Sequence, residues 1–312
     1  MRLNVAYATG EEYAKQAGVS IISLFENNAE FDEITVYIID NGIKDETRNI
    51  LIKISERYNR LLVFINSTDI YDADKFKSVG NYSGIIFSKM YLHRIEDIDK
   101  IIYIDCDMIM KSSFIELWNM DIEDYLVAGV RMPTPIEYRK RFSSGNDEKY
   151  INGGFILFNL NKWRNYDVES RIDIFMQNQN EHEYIEENII CSISEEKILN
   201  LEPKYNLNGL MIAYSSEQIK KITSENYYYT QEQLDMAKLS PTVIHFSSEI
   251  YERPWYLNCD HPFKNEYLYY LSLSPWKSQL EKKHISLITK AKKIIKNKLP
   301  FNIYLIMRKL LK

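Results

Sequence analysis

The sequence predicts an α/β protein built on a Rossmann-like, mostly parallel, doubly wound sheet, with a small helical, basic C-terminal extension. Three observations lead there. The first half alternates short apolar runs with stretches whose apolar residues recur every three or four positions. The runs are apolar on both faces, as strands are when helices cover both sides of a parallel sheet. The chain has 312 residues, 45% of them hydrophobic and 27% charged, the balance of a folded domain rather than a disordered one.

The elements follow in order. Residues 3–8 (LNVAYA) read as a strand, and 13–26 as a helix through Ala17, Ile21, Leu24 and Phe25. Residues 34–40 (ITVYIID) form a second strand that ends at the turn Asn41-Gly42. Asp45 caps a helix carrying Ile50, Leu51, Ile54 and Tyr58. A third strand spans 61–65, a helix 85–95 and a fourth strand 100–104 (KIIYI). Right-handed crossovers then place ligands at the carboxyl ends of the strands. Beyond these, 126–130 and 155–158 read as strands, 168–177 and 184–193 as helices, and 242–246 (TVIHF) as a late buried strand. The polar connection 131–150, with Arg139, Lys140 and Arg141, is long enough to be a lid over a bound ligand.

Charge divides the chain unevenly. Residues 281–312 hold ten Lys/Arg and one acid, Glu281, so they carry +9 of a total of −5 and leave −14 on the rest. An acidic body argues against nucleic acid as a partner. In the tail, Ile285, Ile288, Ala291, Ile295 and Leu299 recur at helical spacing. Lys282, Lys283, Lys290, Lys293 and Lys296 fall largely on other faces, and Pro300 interrupts the pattern. The tail is therefore expected to dock on an anionic membrane surface, the alternative being a helix packed on the body. Domain boundaries are expected at 1–262 for the body and 263–312 for the helical, basic, membrane-associating segment. No apolar run reaches the length of a membrane span, and the N-terminus lacks a signal-peptide pattern. Cys106, Cys191 and Cys259 are isolated, without zinc spacing. A cytoplasmic location, peripheral on the inner face of the plasma membrane, is expected.

The sharpest chemical feature is the strand KIIYI running into Asp105-Cys106-Asp107. Period-2 geometry puts both carboxylates on one side at the strand's carboxyl end, where their repulsion calls for a divalent cation. The alternative is a solvated turn. His245, inside TVIHF, is either a hydrogen-bonded core residue or a third ligand; as a ligand it favours Mn²⁺ over Mg²⁺. Arg253, eight residues on, is placed to neutralise a phosphate. Asn152-Gly153-Gly154 is either a tight turn or a close backbone approach to a ligand, with the Asn amide donating to a hydroxyl.

In the order YATGEEYA, IIDNGI, FSKMYL, DKIIYIDCD, INGGFILFNLNKWR, YIEENII and IHF…RPW, residues 1–257 resemble glycosyltransferase family 8. That family includes bacterial lipooligosaccharide galactosyl- and glucosyltransferases, with glycogenin as a relative. The resemblance implies a GT-A fold, a UDP-sugar donor, Mn²⁺ (Mg²⁺ as the alternative) and transfer with retention of anomeric configuration. It implies that Asp105, Asp107 and His245 are the metal ligands and that Tyr13 stacks on uracil beside Ala8 and Thr9. Asn152 and Gly154 would line the donor sugar, Arg253 the diphosphate, and Cys106 lies within the nucleotide-binding motif.

Departures from the family pattern sharpen the expectations. An acidic residue usual near Thr9 is missing. Lys89 stands where an Arg is usual, keeping the charge without the bidentate fork. The family's Asp-Gln-Asp is here Glu186-Glu187-Asn188. Glu186 would hold donor-sugar hydroxyls and Glu187 would lie near the anomeric carbon, making these the catalytic candidates. Retention would follow either front-face attack by the acceptor or a covalent intermediate on Glu187. The expected activity is transfer of glucose or galactose to a glycan, lipid-linked or glycoprotein acceptor in bacterial surface polysaccharide, lipooligosaccharide or glycoprotein synthesis. The competing readings are a sugar nucleotidyltransferase and a non-enzymatic, membrane-bound carbohydrate-binding protein.

Overall fold

The computed structural model describes residues 1–76, 84–142, 149–178, 185–225, 227–248, 250–277 and 279–282. The chain opens as β1 (Arg2–Thr9), α1 (Glu11–Glu26), β2 (Glu33–Asp40), α2 (Asp45–Arg57) and β3 (Leu61–Asn66). After the 3₁₀ helix Gly84–Arg94 come β4 (Lys100–Ile104), β5 (Met108–Met110), β6 (Val127–Arg131) and β7 (Ile151–Asn159). The helices Val168–Asn178 and Ile185–Ser194 lead to β8 (Ile198–Leu201), and β9 (Val243–His245) lies far downstream.

Seven strands form one sheet in the order β3-β2-β1-β4-β7-β6-β8, while β5 and β9 make a separate two-stranded ribbon. β1 pairs in parallel with β2 and β4, β2 with β3, and β6 with β8; β7 runs antiparallel to both its neighbours. The expected mostly parallel α/β sheet is present, with one reversed strand in its second half. Side chains alternate between two cores, as a period of two requires. Val5, Tyr7, Ile102, Ile104, Phe155 and Leu157 pack on the α1 face, whereas Ala6, Ile101, Tyr103, Ile156 and Phe158 pack on the other.

The segment expected as a helix over 85–95 is a 3₁₀ helix that buries Phe87, Lys89, Met90 and Tyr91. The helix Lys264–Leu273, beyond the expected boundary at 262, lies against α1 and buries Tyr267, Tyr270 and Leu271. Trp276 closes on α1 at Gly18, where a Cβ would stand 2.6 Å from its ring. The chain then returns to the body: Glu281 N–H donates to Trp255 O at 2.8 Å and Leu257 N–H to Glu281 O at 3.0 Å. The amphipathic pattern of 283–312 lies outside the described residues. Among the described residues no helix is long and apolar enough to cross a membrane.

The expected lid is also partly packed structure. Arg131 and Arg139, at its start and middle, are buried and paired with Glu225 at 2.8 and 3.2 Å. Arg139 is wholly enclosed rather than poised over a cleft. Residues 143–148 of that connection lie outside the described residues.

Candidate active site

The strand order reverses between β1 and β4, because β2 and β3 extend the sheet one way and β7, β6 and β8 the other. Ligands bind in the crevice that opens at such a switch point. Here the carboxyl ends of β1 and β4 open into a cleft of about 610 Å³. Its lining includes Ala8, Thr9 and Tyr13 from the first turn, Asp105 and Asp107 from the second, and Arg253 from downstream. Cys106, between the carboxylates, is buried with Sγ 3.7 Å from Ala8 O, and serves as packing.

The two aspartates do not share one strand. β4 ends at Ile104, and both carboxylates sit on the turn that reverses the chain into β5. That reversal matters because β5 pairs antiparallel with β9, setting Met108 opposite His245. Asp107 and His245 are therefore brought together by backbone pairing, and Phe246 N–H donates to Asp107 O at 2.9 Å. One donor atom each from Asp105, Asp107 and His245 lies within 4.8 Å of the others. Two hard carboxylate oxygens and one imidazole nitrogen suit Mn²⁺ or Mg²⁺, so the residues fit the divalent ion the fold implies. Asp107 is only 8% exposed, not a surface carboxylate. Burial pushes its carboxyl up, but His245 at 3.3 Å and Arg253 at 3.3 Å outweigh that and hold it below the usual carboxylate range.

Arg253 also donates to the Tyr13 hydroxyl at 2.6 Å. Trp255 meets Tyr13 edge-on with ring centroids 6.3 Å apart. The aromatic wall and the cation thus form one packed unit at the Tyr13 end of the cleft.

On the other side of Asp105 lies a second carboxylate group. Lys89, fully buried, donates to Gly153 O at 2.9 Å and stands 3.2 Å from Glu186 and 3.8 Å from Asp105. Burial works against this ammonium, but Glu186, Asp105 and Glu187 more than offset it and raise its pKa. Burial, only partly countered by Lys89 and reinforced by Glu187 and Asp105, pushes Glu186 up to about 8. Glu187 is raised mainly by burial and accepts from Gly153 N–H at 3.3 Å. Glu186 Oε2 is buried with no hydrogen-bond partner among the described residues, as a group awaiting a hydroxyl would be.

The Gly153-Gly154 pair answers to the protein's own carboxylates. A Cβ on Gly153 would stand 2.8 Å from Glu186 Oε1, and one on Gly154 2.7 Å from Asp105 Oδ2. Asn152 is half-buried beside them. Asn188, expected to complete the Glu-Glu-Asn motif, is buried and bonded to Tyr150 at 2.6 Å and Tyr138 at 2.8 Å. Asn206 carried no sequence signal, yet it reaches His245 and Asn152 from the short helix Pro203–Asn206.

The site is a switch-point cleft on an open α/β sheet, floored by a carboxylate–histidine cluster that could hold a divalent cation. A crystal structure of an active-site mutant of LgtC superposes with a TM-score of 0.69 at 17% identity, covering 93% of this chain and 100% of LgtC. The fold is that of the GT-A glycosyltransferases. The chain belongs to glycosyl transferase family 8, whose model matches residues 4–259. General stress protein A of Bacillus subtilis is 23% identical over 279 residues, 88% of this chain and 94% of the relative. Lipopolysaccharide 1,2-glucosyltransferase of Escherichia coli K12 is 24% identical over 282 residues, 88% and 79% of the respective chains.

Proposed function

We propose that this glycosyltransferase moves glucose or galactose from a UDP-hexose to a glycan acceptor, lipid-linked or on a glycoprotein, with retention of anomeric configuration. The observation that carries the reading is the convergence of Asp105, Asp107 and His245 between a nucleotide-sized cleft and the Glu186–Glu187 pair. Tyr13 offers its face to the base, with Ala8 and Thr9 beside it. Arg253 holds the diphosphate end, where it already turns toward Asp107. Asp105, Asp107 and His245 would hold Mn²⁺, which would supply charge stabilisation to the departing diphosphate. Lys89 pins Glu186, whose carboxyl meets the donor-sugar hydroxyls, and the Asn152 amide donates to the same sugar. Glu187 lies on the anomeric side, its carboxyl oriented by Gly153 N–H.

Residues 281–312 keep the enzyme on the inner face of the plasma membrane, near a lipid-linked acceptor. Their charge and apolar spacing support this, as does the root of the tail beside Trp255, on the rim that also carries Arg253. Deleting 283–312 is expected to abolish co-sedimentation with anionic vesicles while sparing UDP-sugar hydrolysis.

The test of the reaction is incubation of the full chain with UDP-glucose or UDP-galactose and Mn²⁺. UDP release that EDTA abolishes is expected. Pyrophosphate release, or UDP release indifferent to EDTA, would overturn the reading.

A further inference from the structure

We infer that Asn206 is a positioning residue that ties the tautomer of the metal-ligating histidine to the amide facing the donor sugar, so that the two subsites are set together. The inference rests on the metal and sugar sites proposed above.

The chain of hydrogen bonds allows only one assignment, and it starts from a backbone group. Gly154 N–H donates to the Asn152 side chain at 3.1 Å. A backbone N–H only donates, so the Asn152 atom facing it is the carbonyl oxygen, and the NH₂ of Asn152 is its other arm. The same oxygen receives an Asn206 side-chain atom at 2.7 Å, which must then be the Asn206 NH₂. The remaining arm of Asn206, its oxygen, faces His245 Nδ1 at 3.0 Å. Nδ1 must therefore carry a proton. Nε2, 3.3 Å from Asp107, is left as the atom that either shares a proton with that carboxylate or turns a lone pair to a cation.

The relay is anchored at both ends. Asn206 is fully buried. The next residue, Leu207, donates to Val243 O and accepts from His245 N–H, both at 3.0 Å, so Asn206 is locked alongside β9. At the other end Gly154 O accepts from Asp105 N–H at 2.8 Å. The path thus runs from one metal ligand, His245, through Asn206, Asn152 and Gly154 to another, Asp105. Outer partners of this kind orient ligating histidines, and their loss typically weakens metal binding about 10–100-fold.

Two consequences separate this role from simple packing. Asn152, a sugar-side residue whose side chain is hydrogen-bonded to Gly154 and Asn206 rather than to a metal ligand among the described residues, contributes to metal affinity in the absence of any nucleotide. The imidazole of His245, which would otherwise prefer its proton on Nε2, holds it on Nδ1.

The experiment uses the full-length chain, Mn²⁺ titration monitored by electron paramagnetic resonance without nucleotide, and ¹⁵N spectroscopy of histidine-labelled protein at alkaline pH. Wild-type protein is expected to bind Mn²⁺ and to show a neutral His245 protonated on Nδ1. N206L is expected to bind Mn²⁺ about 10–100-fold more weakly and to shift the proton toward Nε2. N206D keeps the acceptor for Nδ1–H and loses the donor to Asn152. Its Mn²⁺ affinity should fall no further than that of N152A, while it binds UDP-hexose less well relative to UDP. N152A, at a half-buried position that keeps the test alive should N206L fail to fold, is expected to lose about 3–10-fold in Mn²⁺ affinity. Folded N206L and N152A with wild-type Mn²⁺ titrations would overturn the relay alone. Wild-type protein that does not titrate with Mn²⁺ would overturn the site reading beneath it.

Discussion

Two carboxylate clusters flank the turn at Asp105, and the same residue type behaves oppositely in each. On the nucleotide side Asp107 is buried, yet His245 and Arg253 face it and hold its carboxyl ionised below the usual range. On the sugar side Glu186 and Glu187 share one ammonium, Lys89, with Asp105; burial wins there, and Glu186 rises to about 8. Burial acts in the same direction on both sides, so the number of cations per carboxylate decides the outcome. The Asp107 side is built to stay anionic, as the proposed cation site requires. The sugar side is built to keep a proton near neutrality, the state in which a carboxyl group can donate to a hydroxyl as well as accept.

The largest way to break this contrast is to remove Lys89. K89M leaves Glu186, Glu187 and Asp105 without their shared ammonium, and is expected to cost about 3–5 kcal/mol by urea unfolding. A K89M protein as stable as wild type would show that Lys89 does not balance the cluster. The next largest effect concerns the other side. D107N keeps the shape and removes the charge, and is expected to lower Mn²⁺-dependent UDP release about 10²–10³-fold, roughly 3–4 kcal/mol of transition-state stabilisation. Turnover close to wild type would remove Asp107 from the metal site.

The glycine pair offers a way to press on each side separately. G154A drives a Cβ to 2.7 Å from Asp105 Oδ2 and 2.8 Å from Met108 Cε, and G153A drives one against Glu186. Each is expected to destabilise the fold by about 1–3 kcal/mol. Only G154A should also weaken Mn²⁺ titration, so equal Mn²⁺ affinities in the two variants would erase the division between clusters.

The pH dependence of stability tests burial without a strong partner. His261 packs against Phe246 and Tyr251 behind β9, and burial, partly countered by Asp260, lowers it to about 4. The unfolded chain takes up this proton below about pH 6.5 while the folded one refuses it down to about pH 4. Stability is therefore full above that window and lost as pH falls through it, by about 1 kcal/mol per unit. H261Q, which keeps an acceptor for Phe263 N–H, should flatten the melting-temperature profile between pH 6.5 and 4. An unchanged profile would assign the acid sensitivity to other groups.

Much of this was legible in the chain itself, for reasons that can be located. β1, β2 and β4 announced themselves because strands covered on both faces read as near-continuous apolar runs, and their shortness sets them apart from helices. The end of such a strand points at the cleft, so Asp105 and Asp107 could be read as site residues before any geometry. Periodicity could place His245 on a buried strand, but only the family resemblance set it beside Asp107. The three-residue pairing of β5 with β9 joins segments more than 130 residues apart and leaves no local signature.

What the sequence alone determined, then, was the set of chemical groups and the layer each occupies, because hydrophobic periodicity and strand ends are local properties. Tertiary structure decided the protonation and the partners. It turned Gly153 and Gly154 into space for Glu186 and Asp105, and it drew Arg139 out of an expected lid into the interior against Glu225. It also carried Asn206 out of an unremarkable turn to His245 and Asn152. These outcomes depend on desolvation and on distances of about 3 Å between residues far apart in the chain, and both exist only once the chain has closed on itself.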